Sequence, residues 1–268
     1  MLKYFIVSIF VGALNVIKPT GITSAFFLEK LKKIIPQKKM GHTGTLDPLA
    51  CGVLPVFLGK ATKLIPFLNM DEKVYRAELM LGMKTDTLDL EGKIISLNKP
   101  STVSLKEILE VLEKFKGEII QTVPIYSAKK YKGKKLYQYA RSKERLKTSL
   151  EHCVPILTQK VNIFKIELLR FWNFSNTLPR LLLEVSCSKG TYIRSLAAKI
   201  GEELGVGATM SFLVRTRVGN FDISNAFTIE ELKKMTLEEI QKKALITTGD
   251  LLKDYQKQRK TLAEKLKP

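Results

Sequence analysis

The sequence predicts an α+β fold built on a mainly antiparallel sheet flanked by helices. Three features carry that expectation. Apolar runs of strand length and amphipathic stretches of helix length both occur, but without the strict β-α alternation of a doubly wound parallel sheet. Lys73–Leu81 sets Tyr75, Ala77 and Leu79 against Val74, Arg76 and Glu78, the period-two pattern of a half-buried strand. Ser104 followed three residues later by Glu107 is a capping box, so a helix opens there.

The elements follow in order. Residues 13–17 read as a short buried strand. Residues 4–14, behind Lys3, have the size of a signal-peptide core, but the run is too short to span a bilayer and no Ala-x-Ala site closes it. A buried first strand and a cytoplasmic protein that does not bind membrane are expected. Lys18-Pro19-Thr20-Gly21 is a turn, and Thr23 or Ser24 caps an amphipathic helix that ends before Pro36. Basic residues crowd that end: Lys30, Lys32, Lys33, Lys38 and Lys39. A loop rich in glycine and hydroxyls, residues 41–52, then runs into an apolar strand at 53–58, and such a loop pinned between buried elements is a place for chemistry. The Ser104 helix is expected to run to Gly117. Further strands are expected at 161–169, 180–187 and 212–218, with a helix at 191–204 and a mostly helical, charged remainder from Thr228. No internal repeat, low-complexity tract or clear second domain is visible.

The 268 residues carry 45 Lys+Arg against 26 Asp+Glu, a net +19, far more than solubility requires of a chain this size. Hydrophobic residues make up 45%, so the basicity belongs to a folded surface and the expected partner is a polyanion. Its densest stretch is 126–147. Residues 129–147 hold nine basic side chains against one acid, Glu144, interleaved with Tyr131, Tyr137 and Tyr139. Three scattered cysteines, Cys51, Cys153 and Cys187, and two histidines, His42 and His152, make a zinc site or disulfide framework unexpected.

The 41–52 loop offers one carboxylate, Asp47, with no second acid, serine-histidine pair or ligand set beside it, which counts against paired-carboxylate and metal-assisted hydrolysis. Gly41-His42-Thr43-Gly44-Thr45-Leu46-Asp47-Pro48-Leu49-Ala50-Cys51-Gly52 resembles the signature loop of the TruB family of tRNA pseudouridine-55 synthases. Further segments match in order: Lys18 to Ser24; Lys73-Val74-Tyr75-Arg76-Ala77; Gln121 through Tyr126-Ser127-Ala128 to Arg141; Lys189-Gly190-Thr191-Tyr192-Ile193-Arg194-Ser195-Leu196-Ala197; and Leu213 to Phe221. Together they cover residues 13–228.

The resemblance implies a pseudouridine-synthase fold and a cofactor-free, metal-free isomerase that flips a uridine from the tRNA T-loop, detaches the uracil and reattaches it through C5. It implies that Asp47 is the catalytic aspartate, either attacking C1′ or removing a ribose proton. Arg194 is the cation that pairs with it, and Tyr75 stacks on the flipped base. Tyr192 and Leu213 line the base pocket, and His42 fills the place the nucleotide vacates. Lys18 meets phosphate or steadies the loop. The basic segment corresponds to an RNA-binding thumb, an insertion at about 124–150, with Lys129, Lys130, Lys132, Lys134, Lys135 and Arg141 facing phosphates. A catalytic domain over 1–245 is expected, with 246–268 a short charged helix in place of the PUA domain many relatives carry. The tRNA T-arm is the expected partner of a monomer needing no guide RNA. The alternatives are a guide-dependent, dyskerin-type synthase and a non-catalytic tRNA-binding protein. Departures from the family pattern fall at Ile17, Cys51, Val123 and Val214.

Overall fold

The computed structural model describes residues 10–68, 70–98, 103–146, 154–174, 177–253 and 256. The chain divides into two compact units, one of Met1–Lys73 with Arg215–Pro268 and one of Val74–Val214. Neither crossing point carries a Pro-, Gly- or Ser-rich linker, so composition does not mark the division.

In the first unit β1 (Gly12–Lys18) is buried along nearly its whole length, as a strand covered on both faces must be. Thr23 then caps α1 (Ser24–Lys32), its hydroxyl accepting the Phe26 amide at 3.1 Å, and Phe27 and Leu31 form the buried stripe. Two strands follow, β2 (Met40–His42) and β3 (Cys51–Leu58). β3 lies antiparallel to β1 in a register running from Gly12 opposite Leu58 to Lys18 opposite Gly52, so the ends of the two strands flank the 43–50 loop. β2 pairs with the other end of β3, His42 opposite Val56.

The second unit opens with β4 (Lys73–Leu81), whose Tyr75, Ala77, Leu79 and Leu81 are buried, the face the alternation predicts. A small hairpin follows, β5 (Met83–Thr85) with β6 (Ile94–Leu97), and the reciprocal Ser104–Glu107 box opens α2 (Leu105–Glu113). That helix stops four residues short of Gly117, which takes φ +87° and leads into β7 (Gly117–Thr122). A second hairpin, β8 (Lys130–Tyr131) with β9 (Lys134–Lys135), leads into α3 (Leu136–Leu146). The long β10 (Thr158–Trp172) pairs antiparallel with β7 and with β11 (Arg180–Cys187), giving the order β4-β11-β10-β7. Val161 and Ile163 of β10 are buried while Lys160, Asn162 and Phe164 are exposed, so helices cover one face here: α2 contacts β10, and α4 (Ile193–Glu203) contacts β7.

β12 (Ala208–Val218) begins beside β4 and ends in the first unit. It starts four residues earlier than expected, because Thr209 and Ser211 are buried and hide the apolar pattern. Beyond β13 (Phe221–Asp222) and α5 (Ile229–Lys234) the expected helical remainder contains a strand, β14 (Leu245–Thr247), which covers the free edge of β1. The expected helix at 251–266 lies mostly outside the described residues, as do residues 1–9 and the thumb residues 147–150.

Candidate active site

Asp47 is half-buried on the loop between β2 and β3, and what surrounds its backbone explains why the preceding turn has its composition. Ser24, the first residue of α1, donates its hydroxyl to the Leu46 carbonyl and accepts the Leu46 amide, both at 2.9 Å. The Gly21 amide donates to the Pro48 carbonyl at 2.8 Å, and the Thr20 hydroxyl to the Leu49 carbonyl at 2.9 Å. Lys18 is 0% exposed, and its ammonium donates to the carbonyls of Pro19, Ile22 and Pro48 at 2.8, 2.7 and 3.4 Å. Of the two roles the sequence left open for Lys18, this burial fits steadying the loop.

Arg215 grips the loop from the other side. It is 0% exposed, with Nε donating to the Val53 carbonyl at 2.8 Å and Nη2 to the Gly44 carbonyl at 3.1 Å. Gly52 sits at φ +106° against the Arg215 backbone, where a Cβ would collide with the main chain. His42 stands in the same neighbourhood, its Nδ1 accepting the Gly44 amide at 3.3 Å, so the neutral ring carries its proton on Nε2. Burial pushes the imidazole pKa below its ordinary value, and the Arg215 and Lys73 charges push the same way. Burial pushes the Cys51 thiol pKa above its ordinary value.

The other site residues belong to the second unit. Arg194, at the start of α4, is 4% exposed and so is no surface cation. Its Nη1 lies 3.4 Å from an Asp89 carboxylate oxygen and donates to the Thr87 carbonyl at 2.9 Å, and its Nη2 donates to the Tyr126 carbonyl at 2.9 Å. Asp89, also buried, is fixed in turn by the Thr87 hydroxyl at 2.6 Å and the Glu91 amide at 3.1 Å. Tyr192 precedes α4, and its backbone is held at both ends by the buried Gln121 side chain, which accepts from the amide at 2.8 Å and donates to the carbonyl at 3.0 Å. Tyr75 on β4 and Leu213 on β12 are buried to 7% and 6% exposure.

The segment expected to form a thumb contains a lysine hairpin. Lys132 and Gly133 both take positive φ, 46° and 80°, the two-residue turn that matches strand twist. Lys130 lies directly opposite Lys135, and Lys129, Lys130, Lys132 and Lys134 are exposed. Like charges placed opposite each other destabilise a hairpin. Tyr131 and Tyr139 brace it edge to face, the Tyr139 hydroxyl donates to the Tyr131 carbonyl, and Lys135 and Arg141 lie over the Tyr137 ring. Among the described residues no cluster of three His, Cys, Asp or Glu side chains could hold a metal ion, and no helix is long and apolar enough to cross a membrane.

Residues 32–193 match the family described as TruB family pseudouridylate synthase (N terminal domain), and residues 194–268 match the tRNA pseudouridylate synthase B C-terminal domain. The chain belongs to the TruB family. Two curated TruB relatives, both named tRNA pseudouridine synthase B, illustrate the likeness. That of Caldanaerobacter subterraneus subsp. tengcongensis is 48% identical over 223 residues, 83% of this chain and 74% of that protein. That of Clostridium tetani is 45% identical over 228 residues, 85% and 74%. A chain in the crystal structure of a Cbf5-Nop10-Gar1 complex superposes with a TM-score of 0.63 at 32% identity, covering 87% of this chain and 56% of that one. This TruB chain therefore spans little more than half of that structural relative. Membership makes it an enzyme, an isomerase that forms pseudouridine.

Four residues that order the candidate site were given no site role from the sequence: Ser24, Asp89, Gln121 and Arg215. Two left a trace there. Asp86, Asp89 and Glu91 crowd one short loop of a strongly basic chain, and Arg215 directly follows the apolar pair Leu213-Val214 within a strand. Ser24 and Gln121, read only as a helix cap and as the start of a matching segment, act on backbone groups of distant segments.

Proposed function

We propose that this chain converts uridine 55 in the T-loop of tRNA to pseudouridine, flipping the base out of the loop and needing neither cofactor nor guide RNA. The observation that supports the reading best is the single carboxylate, Asp47, on a loop whose backbone is fixed by Lys18, Ser24 and Arg215. A reacting group must be held to within a fraction of an ångström, and a loop pinned this way does that. In the isomerisation the N1–C1′ bond breaks, a C5–C1′ bond forms, and the C5 proton is lost while N1 gains one, so no oxidant or second substrate is consumed. Asp47 serves by attacking C1′ or by removing a ribose proton. By the resemblance, Arg194 keeps it ionised, Tyr75 stacks on the uracil, Tyr192 and Leu213 enclose it, His42 enters the loop and the thumb lysines meet phosphate.

Guide-directed modification is the second reading, because a similar solved chain belongs to H/ACA RNP bound to a substrate RNA. Against it, that chain is 29% identical, whereas the tRNA pseudouridine synthases B cited above reach 45–48%. The test is to incubate the purified protein with unmodified tRNA transcript and map pseudouridine chemically, beside Asp47→Asn. A single product in the T-loop, absent with the variant, is expected. Product only when a guide RNA is added would favour the second reading, and turnover by Asp47→Asn would remove Asp47 from its role.

A further inference from the structure

Leu88 takes φ 65°, the left-handed region, where a branched side chain crowds its own backbone. A residue persists there only when its surroundings over-determine it. They do so here. The Leu88 amide donates to the Thr85 carbonyl at 3.3 Å, its carbonyl accepts the Met210 amide at 3.1 Å, and the Thr85 hydroxyl donates to the Asp89 carbonyl at 2.7 Å.

The residues on either side of Leu88 are both partners of Arg194. The Thr87 carbonyl accepts from Nη1, and the Asp89 carboxylate faces the same nitrogen. The turn at Leu88 thus lies between a carbonyl of residue i−1 and a carboxylate of residue i+1 that meet one guanidinium. Packing does not account for the leucine. Its side chain is half-exposed and borders two cavities, of about 290 and about 670 Å3, so it fills neither.

We propose that Leu88 is a positioning residue for pseudouridine formation, acting through Arg194: its left-handed backbone turn aims Thr87 and Asp89 together at the guanidinium. The inference rests on the role given to Arg194 under the proposed function and deepens it. What matters at position 88 is the conformation, not the side chain.

Leu88→Gly, Leu88→Ala and Leu88→Val separate the two. Glycine adopts the turn freely, alanine reluctantly and the β-branched valine least of all. Single-turnover rates on a T-arm stem-loop are expected to order Gly above Ala above Val. The valine variant should fall at least about tenfold below wild type with KM within about twofold, and the glycine variant should recover to within about threefold. A packing role demands the reverse order, Val above Ala above Gly, and that result, or equal rates for Gly and Ala, overturns the proposal. If Leu88→Val fails to fold, the Gly/Ala pair decides, since those two differ by one methyl group. Wild type and Asp47→Asn run alongside keep the two readings apart. If wild type forms pseudouridine and Asp47→Asn does not, the site reading stands whatever position 88 does. No product from wild type overturns that reading and this inference with it.

Discussion

Ser24 holds Leu46 from both sides, its hydroxyl donating to the Leu46 carbonyl and accepting the Leu46 amide at 2.9 Å each. One small side chain on a helix start thus completes the hydrogen bonding of the backbone that delivers Asp47. Ser24→Ala leaves a buried donor and acceptor unsatisfied, a loss of about 1–3 kcal/mol. The expected result is a lower melting temperature, by about 2–4 °C for each kcal/mol lost in a chain of this size. The single-turnover rate should drop about tenfold while KM stays near wild type, because the hydroxyl positions Asp47 and touches no substrate. Unchanged melting and rate would mean that the loop holds itself.

Arg194 spreads one guanidinium over the Asp89 carboxylate and the carbonyls of Thr87 and Tyr126. Arg194→Lys keeps the charge but offers a compact ammonium that cannot span three acceptors set for a planar fork. We expect a rate loss of two orders of magnitude or about that. Asp89→Asn, which removes the buried counter-charge, should be impaired in the same direction. Kinetics of both variants, with circular dichroism to confirm folding, would check it. Near-normal turnover by the lysine variant would reduce Arg194 to an anchor for its own unit.

His42 carries a testable pH signature. Its pKa is lowered from the ordinary 6.5, chiefly by burial and then by Arg215. As pH falls through that ordinary value the unfolded chain takes up a proton that the folded chain does not, so stability present above it is progressively lost until the folded ring protonates too. Denaturant melts at about pH 7.5 and about pH 5.5 should show a larger drop for wild type than for His42→Gln. Equal drops would place the acid sensitivity elsewhere.

The thumb hairpin sets its lysines against one another, Lys130 facing Lys135, with no acid in either strand to relieve them. Exchanging Lys129, Lys130, Lys132, Lys134 and Lys135 for glutamine should raise KM for tRNA and lower the slope of log affinity against log salt by about one for each phosphate no longer neutralised. It should also leave the fold intact or slightly more stable, since it removes the repulsion. An unaltered salt slope would show that the RNA is gripped by other cations, Lys38 and Lys39 after α1 being the next to test.

Local signals were legible where a single residue type decides the matter. Thr23 marked the start of α1, the Ser104–Glu107 pair marked α2, and the alternation of Lys73–Leu81 fixed both the limits and the buried face of β4. β7 escaped because it is a terminal strand in its unit's order, with Ile120 exposed and Ile119 partly so, which blurs the period. β14 is three residues long and exists only because β1 has an edge to cover. The site followed the same division. Asp47 stood out within its own loop, whereas Arg215, Gln121 and Ser24 find their partners 22 to 171 residues away, and nothing in the local sequence encodes a distance of that kind.

Arg215 reaches the Gly44 carbonyl across 171 residues and the Val53 carbonyl across 162. The whole second unit, Val74–Val214, is synthesised between the loop and its clamp. On the ribosome, therefore, a nascent chain that has completed β1, α1, β2 and β3 still lacks one of the side chains that hold the loop, and β14, which closes β1, emerges later again. The second unit is free to fold during that interval, and the Asp47 loop gains its last side-chain hydrogen bonds only near the end of translation. A truncated product ending beyond β3 but before Arg215 keeps Asp47, Lys18 and Ser24 but lacks the hydrogen bonds to the Gly44 and Val53 carbonyls.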